Sequence, residues 1–173
     1  MLRYFKYIPV QGLNSSVFLS SSFLSVYGFS SAGFSYFLTV QDEKPSAVAS
    51  LETRVSKVTK IVQICQVDSY LYSYVDLPLI CTKNGVHYNI LHAARVVRPG
   101  EELARDMFPD GNVEDVLMAV FTNTTGSQRV DSAICVYTMR ELRAKFLENI
   151  KLCHQGNSSV SGGGYLYGTC PHQ

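Results

Sequence analysis

The stretch of sequence that decides the fold is Val26–Gln41, VYGFSSAGFSYFLTVQ. Its second half, FSYFLTVQ, is aromatic and β-branched, a composition that favours a strand. A hairpin turn accounts for Gly28 and Gly33. The same glycines resemble the G-x-S-x-G turn of serine hydrolases, but Ala32 stands where a motif centred on Ser30 requires its second glycine. We therefore interpret the stretch as strands and not as a nucleophile site.

Further strands are predicted along the chain, separated by turn signals roughly every ten residues. They are expected at Val55–Val67, Tyr72–Cys81, Val86–Val97, Val113–Thr122 and Ser132–Tyr137. Pro78 cannot donate a ladder hydrogen bond, so its strand is predicted to lie at an edge or to be bulged. Asn84-Gly85 predicts a two-residue turn. Many short strands of this kind are typical of an all-β sandwich or propeller.

One convincing helix follows the last of these strands. Apolar residues at spacings of three and four lie on one face of it and are expected to face the sheet: Met139, Leu142, Phe146 and Ile150. Basic residues are expected to stay in solvent: Arg140, Arg143 and Lys145. Thr138 is the predicted N-cap, and Glu141 three residues later completes a capping box. One or two further helical turns are expected at Glu101–Met107.

Composition excludes several classes of protein. Of the 173 residues, 46% are hydrophobic and 17% charged, which excludes a disordered chain. The formal net charge is +1, whereas nucleic-acid binders usually carry a strongly basic surface. The net charge also gives no support for a polyanion or membrane-surface partner. The stretch Val17–Val40 is rich in serine and is interrupted by Gly28 and Gly33, so no transmembrane helix is predicted.

Five cysteines accompany three N-glycosylation sequons, which begin at Asn14, Asn123 and Asn157. Each sequon lies in a polar or Gly/Ser-rich stretch between apolar runs, where a glycosylating enzyme could reach it. Cysteines together with sequons in loops favour an oxidising, secretory compartment.

Two short clusters near the end of the sequence invite a comparison with zinc sites: Cys153-His154 and Cys170-Pro171-His172. Their spacing forms no C-x-x-C pair, and the Gly/Ser-rich segment between them supplies no further ligand. A disulfide is favoured over a metal there. Because no nucleophile–base pair emerges elsewhere, we predict that the chain is not an enzyme and uses no cofactor.

Val26–Gln41 closely resembles the strand pair found in the sema domains of plexins, particularly the A-type receptors. Further landmarks follow in the family's order: TKIVQIC at Thr59–Cys65, YSYVDLPLIC at Tyr72–Cys81, YNILHAARVVRPGEELA at Tyr88–Ala104, DVLMAVF at Asp115–Phe121 and SAICVY at Ser132–Tyr137. Residues 1–25 match only loosely. The resemblance therefore implies a partial sema domain over residues 26–173.

Sema domains are seven-bladed propellers, so the resemblance implies an all-β fold with about two to three blades and one inserted helix. It also implies the extracellular, ligand-binding part of a single-pass cell-membrane receptor for semaphorins, acting in axon guidance and cell migration. A neuropilin-type co-receptor and the remainder of the propeller and receptor chain are the other implied partners. The alternatives are a sema domain of a hepatocyte-growth-factor-receptor-like tyrosine kinase or of a semaphorin.

The resemblance further implies a disulfide pattern. In the implied pattern, Cys81 pairs with Cys135 and Cys153 pairs with Cys170. The counterpart of Cys65 bonds in the family to a cysteine that would lie beyond Gln173. We therefore expect Cys65 to find no partner within this sequence.

The segment Phe18–Tyr27 leads into the strand that most resembles the family and places serines beside aromatic residues. It is a candidate binding edge for the ligand. The candidate contact residues are Phe18, Ser22, Phe23 and Tyr27. The alternative is that Phe23 and Tyr27 belong to the core.

Overall fold

The computed structural model describes residues 23–42, 57–71, 73–123 and 132–155. The elements in chain order are β1 (Phe23–Ser31), β2 (Phe34–Asp42), β3 (Lys57–Cys65), β4 (Val75–Pro78), β5 (Cys81–Lys83), β6 (Val86–Tyr88), β7 (Ile90–Val97), α1 (Glu101–Met107), β8 (Val116–Thr122), β9 (Ser132–Thr138) and α2 (Met139–His154). This part of the chain is mainly β-structure, as the sequence predicts.

The first sheet is an antiparallel meander in which β1, β2, β3 and β4 pair in order. The predicted strands at Val26–Gln41 are β1 and β2. Ala32 and Gly33 join them with φ angles of 50° and 81°, the left-handed conformation that a tight hairpin requires. β4 lies at the edge of this sheet and ends at Pro78. The prediction of an edge strand is therefore confirmed, but the predicted end at Cys81 is wrong, because the strand stops at Pro78 and Cys81 begins β5 of another sheet.

A short hairpin of β5 and β6 follows the first sheet. Lys83 pairs with Val86, so only Asn84 and Gly85 form the turn, with φ angles of 52° and 77°. The predicted two-residue turn is confirmed.

The predicted continuous strand Val86–Val97 is wrong at Asn89, where β6 ends and β7 has not yet begun. Asn89 bonds to both sheets: its backbone N–H donates to the Thr122 oxygen of β8 at 3.2 Å, and its other polar groups contact the first sheet. Its Nδ2 donates to the backbone oxygen of Lys57 at 2.7 Å, and its own backbone oxygen accepts from Thr59 Oγ1 at 2.8 Å. Thr59 Oγ1 also accepts from the Leu91 N–H at 3.2 Å. These hydrogen bonds hold the start of β7 against β3.

The second sheet pairs β7, β8 and β9 in antiparallel order. A bulge interrupts β7 between Leu91 and Ala93. β8 begins at Val116, three residues later than the predicted start at Val113. The intervening Glu114 is bound by arginine side chains of α2 and stays in the preceding loop.

The predicted helix is α2, and its apolar face is confirmed. Met139, Leu142 and Phe146 are at most 2% exposed, and Ile150 packs partly buried against the same core. Of the predicted solvent-facing residues, Arg140 and Lys145 are exposed, whereas Arg143 is half-buried.

A single large cluster of buried side chains joins α2 to both sheets. The ring of Tyr36 lies 4.8 Å from that of Phe29 and 6.0 Å from that of Phe146, centroid to centroid. Leu117 and Phe121 of β8 belong to the same cluster. A smaller cluster lies beside α1 and contains Phe108, Val116 and Val136 as its buried members. Burial of these side chains is the main force that holds the sheets together.

Candidate protein-interaction surface

The predicted ligand-binding edge is wrong at Tyr27 and is not described at its other positions. Tyr27 is 4% exposed, and its ring stacks on that of Phe29 at a centroid distance of 5.8 Å. The alternative, that Tyr27 belongs to the core, is confirmed. Its position in β1 explains the error, since β1 pairs with β2 and turns this side chain into the core cluster. Phe18 and Ser22 lie outside the described residues, as does the side chain of Phe23.

The predicted Cys81–Cys135 bond is present, with a Cα–Cα distance of 5.9 Å. It links the β5–β6 hairpin to β9, whose neighbour in the second sheet is β8. Cys81 is 2% exposed. Tyr137, two residues after Cys135, donates its hydroxyl to the backbone oxygen of Ile80 at 3.4 Å. A covalent bond and a hydrogen bond thus fix the hairpin to the second sheet.

The prediction for Cys65 is wrong, because Cys65 is disulfide-bonded within this chain. The prediction rested on a family partner beyond Gln173 and did not allow for a nearer cysteine. Cys81 and Cys135 are bonded to each other. The Cys153–Cys170 bond stays a prediction. The side chains of Cys153 and Cys170 lie outside the described part of the chain.

One of the three predicted glycosylation sites lies within the structure. Asn123 directly follows β8 and is half-buried. Asn14 and Asn157 lie outside the described residues. Glycosylation of all three stays a prediction.

Asp68 organises the loop between β3 and β4. It is 7% exposed, and its carboxylate accepts from the backbone N–H of Tyr70 at 3.2 Å and of Ser73 at 2.6 Å. Burial disfavours the charged form, but the hydrogen bonds from Ser73 and from the backbone of Tyr70 and Leu71 outweigh it. They lower the pKa of Asp68 below its ordinary value of 3.8. The loop also holds Leu71 at a φ of 59°, which costs free energy for a side chain of this size.

Two more hydrogen bonds fix this loop to the first sheet. Ser73 Oγ accepts from the backbone N–H of Cys65 at 2.9 Å. The backbone N–H of Gln66 donates to the oxygen of Gly33 at 3.0 Å, which ties the loop to the β1–β2 turn. The β1–β2 turn and the β3–β4 loop are therefore hydrogen-bonded to each other at the same end of the first sheet.

The exposed side chains at this end of the sheet are uncharged. We call them the turn surface: Ser30, Ala32, Gln66, Val67, Ser69 and Tyr70. Val67 is 72% exposed and Tyr70 is 76% exposed, the highest values for large hydrophobic side chains in the described ranges. No signal in the sequence singled out this loop, although the short Asp-Ser spacing from Asp68 to Ser73 is compatible with a side-chain-capped turn.

An ion-pair cluster joins α2 to the loop before β8. Arg140 lies 2.6 Å from Asp110 and 3.1 Å from Glu114, and Arg143 also contacts Glu114. The hydrogen bond from Arg140 lowers the pKa of Asp110. The guanidinium of Arg140 also lies 5.6 Å from the centre of the Phe108 ring. Exposed pairs of this kind contribute little to stability, so their main effect is to orient the loop.

The described residues contain no group of three or more His, Cys, Asp or Glu side chains arranged to hold a metal ion. In the same ranges, no helix has the length and apolar character that a membrane crossing requires. The zinc alternatives considered for Cys153-His154 and Cys170-Pro171-His172 concern side chains that the structure does not describe.

Known proteins match this chain in sequence. Residues 91–171 match the family model described as Sema domain. Human plexin-A2 is 38% identical over 141 residues, which cover 78% of this chain and 7% of plexin-A2. Plexin-A4 of Danio rerio is 37% identical over 145 residues, which cover 78% of this chain and 8% of that protein. The chain therefore spans less than a tenth of the length of these relatives.

Solved structures give the same result for the fold. The full extracellular region of plexin A4 superposes with a TM-score of 0.65 at 31% identity, covering 77% of this chain and 15% of that one. Drosophila semaphorin 2a gives a TM-score of 0.52 at 19% identity, covering 77% of this chain and 20% of that one. At that identity the second match shows a shared fold alone.

The meander, the second sheet, the helix and these matches define the chain as part of a sema-type β-propeller. The predicted fold class is thereby confirmed. Within that class, the chain is similar to the A-type plexins.

Proposed function

We propose that this chain is part of the ligand-binding sema domain of a semaphorin receptor that acts in axon guidance and cell migration. The observation that carries the proposal is the 38% identity with human plexin-A2 across 78% of the chain. The proposed receptor is a single-pass membrane protein, and this chain belongs to its extracellular portion. The proposed domain begins near residue 26 and continues to residue 173, with residues 1–25 as a poorly matched segment.

The described structure suits recognition of a protein. The Cys81–Cys135 bond and the packing of α2 on both sheets hold the scaffold, while loops at the strand ends carry exposed side chains. A rigid scaffold that presents loops is the usual arrangement for protein binding. Association through such a surface involves no covalent step, which agrees with a binding module and not an enzyme.

The test is a binding measurement with the complete receptor ectodomain that carries this chain. Purified semaphorin sema domains would be passed over the immobilised ectodomain, with and without a neuropilin ectodomain. We expect saturable binding of at least one semaphorin. Failure of every semaphorin class to bind in both conditions would contradict the proposal. Binding that requires neuropilin would establish the co-receptor.

The extracellular location has a separate test. Expression in a secretory host followed by glycosidase treatment should lower the mass of the protein, because Asn14, Asn123 and Asn157 are proposed to carry glycans. An unchanged mass would count against passage through the secretory pathway.

The second candidates are the sema domain of a receptor tyrosine kinase related to the hepatocyte-growth-factor receptor and that of a semaphorin ligand. The coding sequence downstream of this chain separates them. A GTPase-activating-like cytoplasmic region indicates a plexin, a kinase domain indicates the growth-factor receptors, and an immunoglobulin domain without either indicates a semaphorin.

A further inference from the structure

We propose that Asn84 is a site of spontaneous covalent modification, at which water converts the side-chain amide into a carboxylate and yields aspartate or isoaspartate. The site is the two-residue turn between β5 and β6. The reaction consumes only water, so it does not depend on what the protein binds. Three observations support it: the identity of the two turn residues, their exposure, and the limited pairing of the hairpin that carries them.

The reaction takes place within the Asn84-Gly85 dipeptide. The backbone nitrogen of Gly85 loses its proton to hydroxide, attacks Cγ of Asn84 and closes a five-membered succinimide ring. The bond from Cγ to Nδ2 breaks, and the nitrogen takes a proton from water and leaves as ammonia. Water then opens the ring. Cleavage between Cγ and the Gly85 nitrogen gives aspartate, whereas cleavage at the backbone carbonyl carbon gives isoaspartate, in which the main chain runs through Cγ.

Both turn residues favour ring closure. Gly85 has no Cβ to shield its backbone nitrogen, and it adopts a wide range of backbone angles. Asn84 and Gly85 are both exposed, so water and hydroxide reach them. In the described part of the chain, no group is hydrogen-bonded to the Asn84 side chain. The amide is therefore free to rotate towards the nitrogen that attacks it.

The hairpin can open at its tip. Asn84 and Gly85 have φ angles of 52° and 77°, which belong to the tight turn, and ring closure requires the Asn84 backbone to rotate out of that turn. β5 and β6 form a sheet of only two strands, paired at three positions. An isolated two-stranded hairpin is at best marginally stable in water. The tip can therefore open while the larger sheets stay folded.

The base of the hairpin confines the change to the tip. Isoaspartate adds a carbon atom to the backbone, and a tight two-residue turn cannot keep its geometry with a longer main chain. Cys81 is bonded to Cys135, and its cross-strand partner Tyr88 lies in the core cluster with 8% exposure. The added atom is therefore accommodated near the tip. The new carboxylate also lies next to Lys83 and offsets its positive charge.

Two other asparagines serve as matched controls within the same protein. Asn112 is exposed like Asn84, but its Nδ2 donates to Asp110 at 3.3 Å and the β-branched Val113 follows it. Asn89 donates its Nδ2 to the backbone oxygen of Lys57 at 2.7 Å and also precedes a β-branched residue. A branched Cβ hinders approach of the following nitrogen to the amide carbon. Both controls should therefore react more slowly.

The test is ageing of the purified protein that contains this chain at body temperature and mildly alkaline pH. Peptide mapping by mass spectrometry measures the gain in mass that accompanies exchange of an amide for a carboxyl group. Enzymatic methylation of isoaspartate measures that product separately. We expect conversion at Asn84 to be at least about tenfold faster than at Asn112, which corresponds to a barrier lower by about 1.4 kcal/mol. Conversion at Asn84 that is no faster than at Asn112 overturns the assignment.

The variant Asn84→Gln identifies the source of the product. Its longer side chain would have to close a six-membered ring, so the isoaspartate signal should disappear from the aged protein. A signal that persists in this variant would come from another residue, and the assignment of Asn84 would be wrong.

Asn84→Asp separates the new charge from the longer backbone. Hydrogen exchange at Lys83 and Val86 should be faster in the aged protein than in unaged Asn84→Asp, because only isoaspartate lengthens the turn. The melting temperature and the Cys81–Cys135 link should be the same in both. Equal exchange would show that the turn is not broken, and a lower melting temperature of the aged protein would show that the change spreads beyond the tip. Either result contradicts a modification confined to this turn.

Discussion

Thr138 and Glu141 cap each other at the start of α2. The backbone N–H of Glu141 donates to Thr138 Oγ1 at 3.0 Å, and Glu141 Oε2 accepts from the Thr138 N–H at 3.3 Å. Thr138→Ala should destabilise the start of α2 by about 1 kcal/mol, because the Glu141 N–H loses Thr138 Oγ1 as its acceptor. Hydrogen exchange of the first-turn amides would measure this. Lys145→Ala, at an exposed site on the same helix, is the control and should leave those amides unchanged.

Leu142 and Leu147 provide a matched pair on α2, since they are 2% and 45% exposed. Leu142→Ala should lower the free energy of unfolding by about 2–5 kcal/mol, because it leaves a cavity between the helix and both sheets. Leu147→Ala should change it by no more than about 0.5 kcal/mol. Urea unfolding followed by fluorescence would measure both. Equal effects of the two changes would contradict the orientation of the helix.

The loop at Asp68 should lose stability in acid. Hydrogen bonds hold the pKa of Asp68 below 3.8 in the folded chain, so ionisation of this carboxylate favours folding. That contribution is fully present above the unfolded pKa of about 3.9 and is lost as the pH falls through the lower folded pKa.

Asp68→Asn tests this pH dependence. Near neutral pH the melting temperature of the variant should be lower than that of wild type. The difference in melting temperature should shrink in acid, because the wild-type carboxyl then becomes protonated. Asp106→Asn, at an exposed position of α1, should melt like wild type throughout. If the difference in melting temperature between wild type and Asp68→Asn stays constant with pH, the ionised carboxylate does not stabilise the loop.

The disulfide pattern can be mapped directly by mass spectrometry of non-reduced peptides. We expect one peptide pair linked through Cys81 and Cys135, and a second linked pair that contains Cys65. A link from Cys65 to a cysteine beyond Gln173 would instead restore the pairing that the family resemblance implies. A Cys65–Cys81 link would contradict the structure.

Local sequence signals predicted much of the fold. The helix at Met139, its cap at Thr138 and the turn at Asn84-Gly85 are each determined by contacts within a few residues, and all three are confirmed. The break at Asn89 could not be predicted, because it depends on hydrogen bonds to Lys57 and Thr59, about thirty positions away along the chain.

The candidate site was less predictable for the same reason. Serines next to Tyr27 suggested an exposed edge, but pairing with β2 turns that ring into the core. Val67 and Tyr70 are exposed because Asp68 folds the loop around its own carboxylate. A single aspartate in a polar stretch gives no sequence signal for this, since most such residues are simply solvated.

The Cys81–Cys135 bond has a mechanical consequence when the polypeptide is pulled from its ends. The two cysteines are 54 positions apart, and a fully extended chain spans about 3.5 Å per residue, so roughly 190 Å of contour length lies inside the closed loop. Tension applied along the polypeptide would bypass this loop through the sulfur atoms. The hairpin, α1 and β8 would therefore carry almost none of the pulling force, and could not be stretched out one after another while the bond is intact.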